Sequence, residues 1–156
     1  MKIVVTINDE KKELTLAQPL ETLLDFLRRH YYLGVKDGCR EGQCGACTVL
    51  VDGRPINSCL YLAIRAEGKH ITTIEGLGKP GNLNIIQQTF LETGAVQCGY
   101  CTPGMILSTK ALLDKNSQPT EEEIKIALDG NLCRCTGYVK IIEAVKLAAT
   151  KLRQEK

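Results

Sequence analysis

Eight cysteines constrain this chain more than any other feature, because they fall into two groups of four with regular spacing. Cys39, Cys44, Cys47 and Cys59 form the first group; Cys98, Cys101, Cys133 and Cys135 form the second. An even number of thiols means disulfides or metal, and the redox compartment decides between them. A chain of 156 residues buries about two-thirds of its unfolded surface and needs no covalent staples. Met1 to Glu10 alternates apolar with polar residues, unlike a signal peptide, and nothing approaches the roughly 18 apolar residues of a membrane span. The chain is therefore expected to be cytoplasmic, where thiols stay reduced, and the cysteines point to metal. With 20 Lys and Arg spread out against 18 Asp and Glu, no basic stripe exists and nucleic acid is not an expected partner.

Around the cysteines the apolar pattern changes period. Ile3, Val5 and Ile7 alternate with polar neighbours, and Asn8 to Lys11 supplies turn residues before a second alternating run from Glu13 to Ala17, which predicts a β-hairpin. Pro19 suits a first helical position, and Leu20, Leu23, Leu24 and Leu27 repeat at helical spacing until Gly34, which predicts one amphipathic helix. Thr48 to Val51, the Asp52-Gly53 turn and Arg54 to Ser58 predict a second hairpin, and His70 to Ile74 a last strand. From Leu83 onward the spacing is helical. Gly94 ends one helix, Thr102-Pro103 starts another, Thr120 to Glu123 forms a capping box for a third, and Ile141, Val145, Ala148 and Leu152 give the fourth its buried stripe. The expected class is α+β: an α+β unit over 1–76, a linker over 77–82 and an all-helical unit over 83–156.

The first cysteine group has four residues, then two, then eleven between successive members, which is the plant-type ferredoxin spacing for a 2Fe-2S cluster. An oxidised cluster held by four thiolates carries a formal charge of about −2, so backbone N–H groups must converge on its sulfurs. Gly38, Gly42 and Gly45 interleave with the ligands and permit that approach. Arg40 lies where it could offset negative charge, or it is simply an exposed loop arginine. Buried unligated cysteines would not call for glycine between every pair.

The second group is two couplets about thirty residues apart, and by itself it also admits a structural four-thiolate zinc site. Cys133 and Cys135 are separated by one residue, narrower than a usual zinc knuckle, and both couplets fall at helix ends in a half that can build its own core. Helices starting after Thr102 and near Tyr138 would aim N–H groups and positive dipole ends at an anionic cluster, which favours iron and sulfide.

These strings resemble a known family. Gln97-Cys98-Gly99-Tyr100-Cys101-Thr102-Pro103-Gly104 and Gly130-Asn131-Leu132-Cys133-Arg134-Cys135-Thr136-Gly137-Tyr138 are similar to the iron-sulfur subunit of the molybdenum hydroxylases, among them xanthine, nicotinate and carbon monoxide dehydrogenases and aldehyde oxidoreductase. The resemblance spans essentially the whole chain. It implies a ferredoxin-like β-grasp domain followed by a four-helix bundle, with two 2Fe-2S clusters held by the eight cysteines. It implies a large partner subunit that binds molybdopterin and a medium one that binds FAD, in a heterotrimer or dimer of heterotrimers. Gln97 would hydrogen-bond the pterin and the Cys135 position would approach its amino group, so that electrons pass through this chain towards flavin. The segment Asn57 to Ala63 and Ala66 to Lys69 look most like bacterial xanthine dehydrogenase small subunits, implying a purine such as xanthine or hypoxanthine as substrate.

Two other classes compete: a free-standing ferredoxin carrier with a zinc-stabilised helical module, and a redox sensor with labile thiols. Gly76 to Gly81 matches the glycine pattern of a dinucleotide loop, but Pro80 removes a donor and no βαβ unit surrounds it. His30 and His70 read as surface histidines, and no Ser-His-Asp arrangement suggests nucleophilic catalysis.

Overall fold

A computed structural model describes residues 1–155. Strands β1 (Lys2–Ile7), β2 (Glu10–Thr15), β3 (Thr48–Val51), β4 (Arg54–Asn57) and β5 (His70–Thr72) form one mixed sheet in the order β2-β1-β5-β3-β4, in which only the β1–β5 pair is parallel. Both hairpins close on two residues of positive φ, Asn8 and Asp9 (50° and 69°) and Asp52 and Gly53 (49° and 75°). That is the twist-matched hairpin geometry. The first turn is tighter than the sequence suggested, and Glu10 and Lys11 belong to β2.

Helix α1 (Leu23–Arg29) lays Leu23, Leu24, Phe26 and Leu27 against Ile3, Val5, Ile7, Val49, Val51 and Ile71, the first core. It is shorter than expected at both ends. The Thr22 hydroxyl caps it by accepting the Asp25 N–H at 3.1 Å, while buried Glu21 is committed to Ala17 N and the Arg29 guanidinium. Pro19 and the exposed Leu20 therefore stay outside. At the far end Tyr31 turns left-handed (φ 67°), stopping the helix before Gly34.

Helices α2 (Ile85–Glu92), α3 (Thr102–Lys115), α4 (Glu121–Leu128) and α5 (Val139–Gln154) build the second core from Ile86, Phe90, Met105, Ile106, Ile124, Leu128, Ile141, Ala144, Val145 and Ala148. The Thr120 capping box forms as the sequence implied, with Glu123 Oε2 accepting the Thr120 N–H at 2.7 Å. In α5 the stripe runs through Ala144 and Ala149, and Leu152 is only partly buried.

Strand β3 joins the two cores. Val49 and Val51 face α1, whereas Leu50 on the opposite face packs on Leu107 and Ala111 of α3, so all four residues of the strand are buried. Burial on both faces explains why this run reads as apolar without alternation. No helix among the described residues is long and apolar enough to cross a membrane.

Candidate functional site

The loop between Lys36 and Cys47 leaves the sheet core and folds around sulfur. The Cys39 Sγ accepts backbone N–H groups from Glu41, Gln43 and Cys44, each at 3.4 Å, and the Cys44 Sγ accepts the Cys39 N–H at 3.4 Å. Arg40 (φ 59°), Gly42 (76°) and Gly45 (66°) take the left-handed turns that point these amides inward. A Cβ on Gly38 would sit 2.6 Å from the Cys44 sulfur, so that glycine is required by close approach. The converging donors, Glu41 N–H foremost, hold the Cys39 thiol down at about 7. Cys47 and Cys59 lie on the core side of the loop, and burial pushes the Cys59 thiol up to about 11, with its hydrogen bond to Cys47 adding to the rise.

The second group assembles from two loops that precede α3 and α5. Cys101 is the residue immediately before α3, and burial together with its contact to Cys133 pushes its thiol up to about 12. At Cys133 burial acts upward, but the hydroxyl and N–H of Thr136, at 3.2 and 3.4 Å from the sulfur, outweigh it and lower the thiol overall. Cys135 hydrogen-bonds Cys98, and both lie exposed at the surface beside exposed Gln97, Leu132 and Tyr100.

Among the described residues no three or more His, Cys, Asp or Glu side chains gather around a point suited to a single metal ion. The thiols meet two by two instead: Cys39 with Cys44, Cys47 with Cys59, Cys98 with Cys135 and Cys101 with Cys133. A two-iron core takes two thiolates at each iron, with sulfide bridging between, so a pair of pairs is the donor set it needs. Anion-facing amides at Cys39 and the Thr136 donors at Cys133 fit the same group. An apolar hollow of about 220 Å³ lies between the groups, lined by Cys39, Cys44, Cys98, Cys101, Cys133 and Cys135 among others.

Arg40 does not offer its charge to sulfur. Its guanidinium is held by Asp25 at 2.8 Å and Asp37 at 2.6 Å, pinning the loop to α1, and it holds the Asp25 carboxyl below the usual carboxylate range. Because this depressed carboxyl stabilises the fold only while ionised, its contribution is present above the unfolded value of about 3.9 and lost as pH falls through the lowered one. These side chains are partly exposed, so Arg40→Ala is expected to cost only about 0.2–1 kcal/mol. The difference from the parent should stay constant between about pH 8 and about pH 5, checked by thermal unfolding of the iron-loaded protein.

Sequence reading missed three supporting residues. Thr136 donates twice to the Cys133 sulfur, the Tyr138 hydroxyl accepts the Cys133 N–H at 2.9 Å, and Tyr100 hydrogen-bonds the carbonyl of Asp37. All three lie inside or beside the cysteine strings, but which atom each reaches depends on loop folding. The two histidines divide. His70 pairs with Asp9 at 2.9 Å near the surface, as expected, whereas His30 is half-buried on the edge of Phe26 with Nε2 lacking a partner, and burial depresses its pKa. Neither approaches a cysteine group, and Gly76 to Gly78 is taken up by a short 3-10 turn and by packing of Gly78 on Gln87 and Asn84.

The model for a 2Fe-2S iron-sulfur cluster binding domain matches residues 5–71, and that for a 2Fe-2S binding domain matches residues 73–146. The chain thus carries two 2Fe-2S clusters, and the zinc alternative for the second group is set aside. It is 53% identical to the nicotinate dehydrogenase small FeS subunit of Eubacterium barkeri, covering 96% of this chain and 95% of that one. It is 52% identical to the xanthine dehydrogenase iron-sulfur-binding subunit of Escherichia coli O157:H7, covering 92% and 91%. Among solved structures, quinoline 2-oxidoreductase from Pseudomonas putida 86 aligns with a TM-score of 0.93 at 42% identity, over 99% of this chain and 96% of that one. The aldehyde oxidoreductase of Desulfovibrio gigas aligns with a TM-score of 0.95 at 41% identity over all of this chain, which spans 18% of that larger one. The fold and paired thiols define a two-cluster electron-transfer protein. The chain belongs to the iron-sulfur subunits of the molybdenum hydroxylase family, and it is part of an oxidoreductase complex.

Proposed function

We propose that Cys39, Cys44, Cys47 and Cys59 hold one cluster and Cys98, Cys101, Cys133 and Cys135 the other. Residues 1–76 then form the ferredoxin-like β-grasp unit and 83–156 a four-helix bundle, joined by 77–82. The pairing of thiols two by two carries this reading. When bound, the clusters accept and release one electron each, linking a molybdopterin site on a large partner subunit to FAD on a medium one, in a heterotrimer or dimer of heterotrimers.

The chain's own residues bind, orient and shield. Amides of Glu41, Gln43 and Cys44 and the Thr136 donors stabilise thiolate over thiol. Core burial of Cys47 and Cys59 keeps water from one side of the first cluster. Exposed Gln97 and Cys135 share a surface with Tyr100 and Leu132, a patch suited to the pterin-bearing partner. In that arrangement Gln97 would hydrogen-bond the pterin and the Cys135 position would approach it.

The purified complex should contain about four iron and four acid-labile sulfide per copy of this chain; zinc in place of half of the iron would overturn the ligand assignment. Gln97→Ala is expected to slow cluster reduction by substrate while leaving iron content intact. Rapid-mixing absorbance of the clusters checks this, and unchanged kinetics would remove Gln97 from the pterin contact.

For the substrate we propose a nitrogen heteroaromatic ring, with a purine such as xanthine or hypoxanthine first. The nearly equal likeness to the nicotinate dehydrogenase subunit supports nicotinate as the second reading. Turnover of the complex on xanthine, hypoxanthine and nicotinate separates the two, and turnover of aldehydes alone would defeat both.

A further inference from the structure

Between the two cysteine groups lies a small buried polar cluster in otherwise apolar surroundings. Asn131, Ser108 and Thr48 are each 5% exposed or less, beside Leu50, Leu107 and Ala111. The Asn131 Nδ2 donates to Gly45 O at 3.0 Å and to Thr48 Oγ1 at 3.2 Å, while its Oδ1 accepts the Ser108 hydroxyl at 2.7 Å. Both amide protons are therefore used, and the side chain fits only this arrangement of three segments.

The segments are the ones that carry the sulfurs. Gly45 lies between Cys44 and Cys47, Ser108 is on α3, the helix that Cys101 immediately precedes, and Asn131 stands two residues before Cys133. The neighbouring Leu132 N–H donates to Cys44 O at 2.9 Å. Gly104 of α3 abuts the Gly45 carbonyl where a Cβ would collide. Three backbone segments thus meet around one carboxamide, at a point where apolar residues alone would permit sliding.

A satisfied buried polar network adds little net stability over an apolar replacement but selects one arrangement. We propose that Asn131 is a positioning residue that sets the separation and orientation of the two clusters, and through them the rate of electron transfer between them. The proposal rests on the ligand assignment above. Tunnelling falls exponentially with distance, so a strut that removes sliding acts on rate more than on stability.

The test is Asn131→Leu in the intact complex, with both clusters reduced by dithionite. Leucine keeps the branched heavy-atom skeleton of asparagine, with bulkier methyl ends, but bonds none of the three partners. Dipolar splitting between the two cluster EPR signals, which varies with the inverse cube of their separation, is expected to be lost or shifted while iron remains at about four per chain. Phe90→Leu, in the helical core and on none of the three bonded segments, should lower the unfolding temperature and leave the splitting unchanged. An unchanged splitting in Asn131→Leu would overturn the proposal and leave Asn131 as ordinary packing. Should that variant fail to retain iron, Ser108→Ala, which removes one of the three bonds, is read in the same way. A parent complex with fewer irons would instead defeat the ligand assignment.

Discussion

Cys101→Ser is expected to halve the iron bound by the chain, from about four atoms to about two, with the first cluster's EPR signal retained. Cys101 ends the loop before α3 and touches Cys133, and under the proposed ligand assignment it would supply one of the four thiolates of the second cluster. A serine hydroxyl is a shorter, harder donor that gives up its proton far less readily, and the cluster loses a quarter of its anchoring in one step. The matching variant Cys59→Ser removes a buried thiolate from the first core instead, and its loss should spare the second signal. Iron and sulfide analysis with EPR on the purified complex reads both results. Four irons in Cys101→Ser would take that residue out of the ligand set.

Gly45→Ala should be strongly destabilising. Gly45 has φ 66°, and its Cβ would run into the carbonyl of Gly130 and lie 2.9 Å from the Asn131 Cα, both backbone atoms that cannot swing away. Left-handed strain of about 1–2 kcal/mol adds to an overpacking cost of about 1–3 kcal/mol. At about 2–4 °C per kcal/mol for a chain of this size, the unfolding temperature should fall by roughly 4–20 °C. Gly53 is the control: its φ is 75° but open space surrounds it, so Gly53→Ala carries the strain alone. Equal shifts for the two variants would show that the Gly45–Gly130 approach contributes nothing.

Much of the fold was legible because its signals are local. The Thr120 capping box, the Asp52-Gly53 turn and the start of α3 at Thr102 each depend on residues within one turn of one another. Helix α1 was read too long because Pro19 and Leu20 match a helical pattern that the Thr22 cap and buried Glu21 override. Arg40 was visible as a charge near sulfur, but its commitment to Asp25 and Asp37 needed α1 to fold beside the loop.

By itself the sequence determined the donors and their spacing: eight thiols, the glycines that admit amides to sulfur, and helices that follow both later couplets. Those are short-range requirements, written within a few residues of each cysteine. Only the tertiary structure decided which thiols pair, that α3 covers the second face of β3, and that Asn131 grips Gly45 from 86 residues away. Contacts at that separation leave no periodic trace in a chain, because their partners are chosen when two independently patterned cores close on one shared strand.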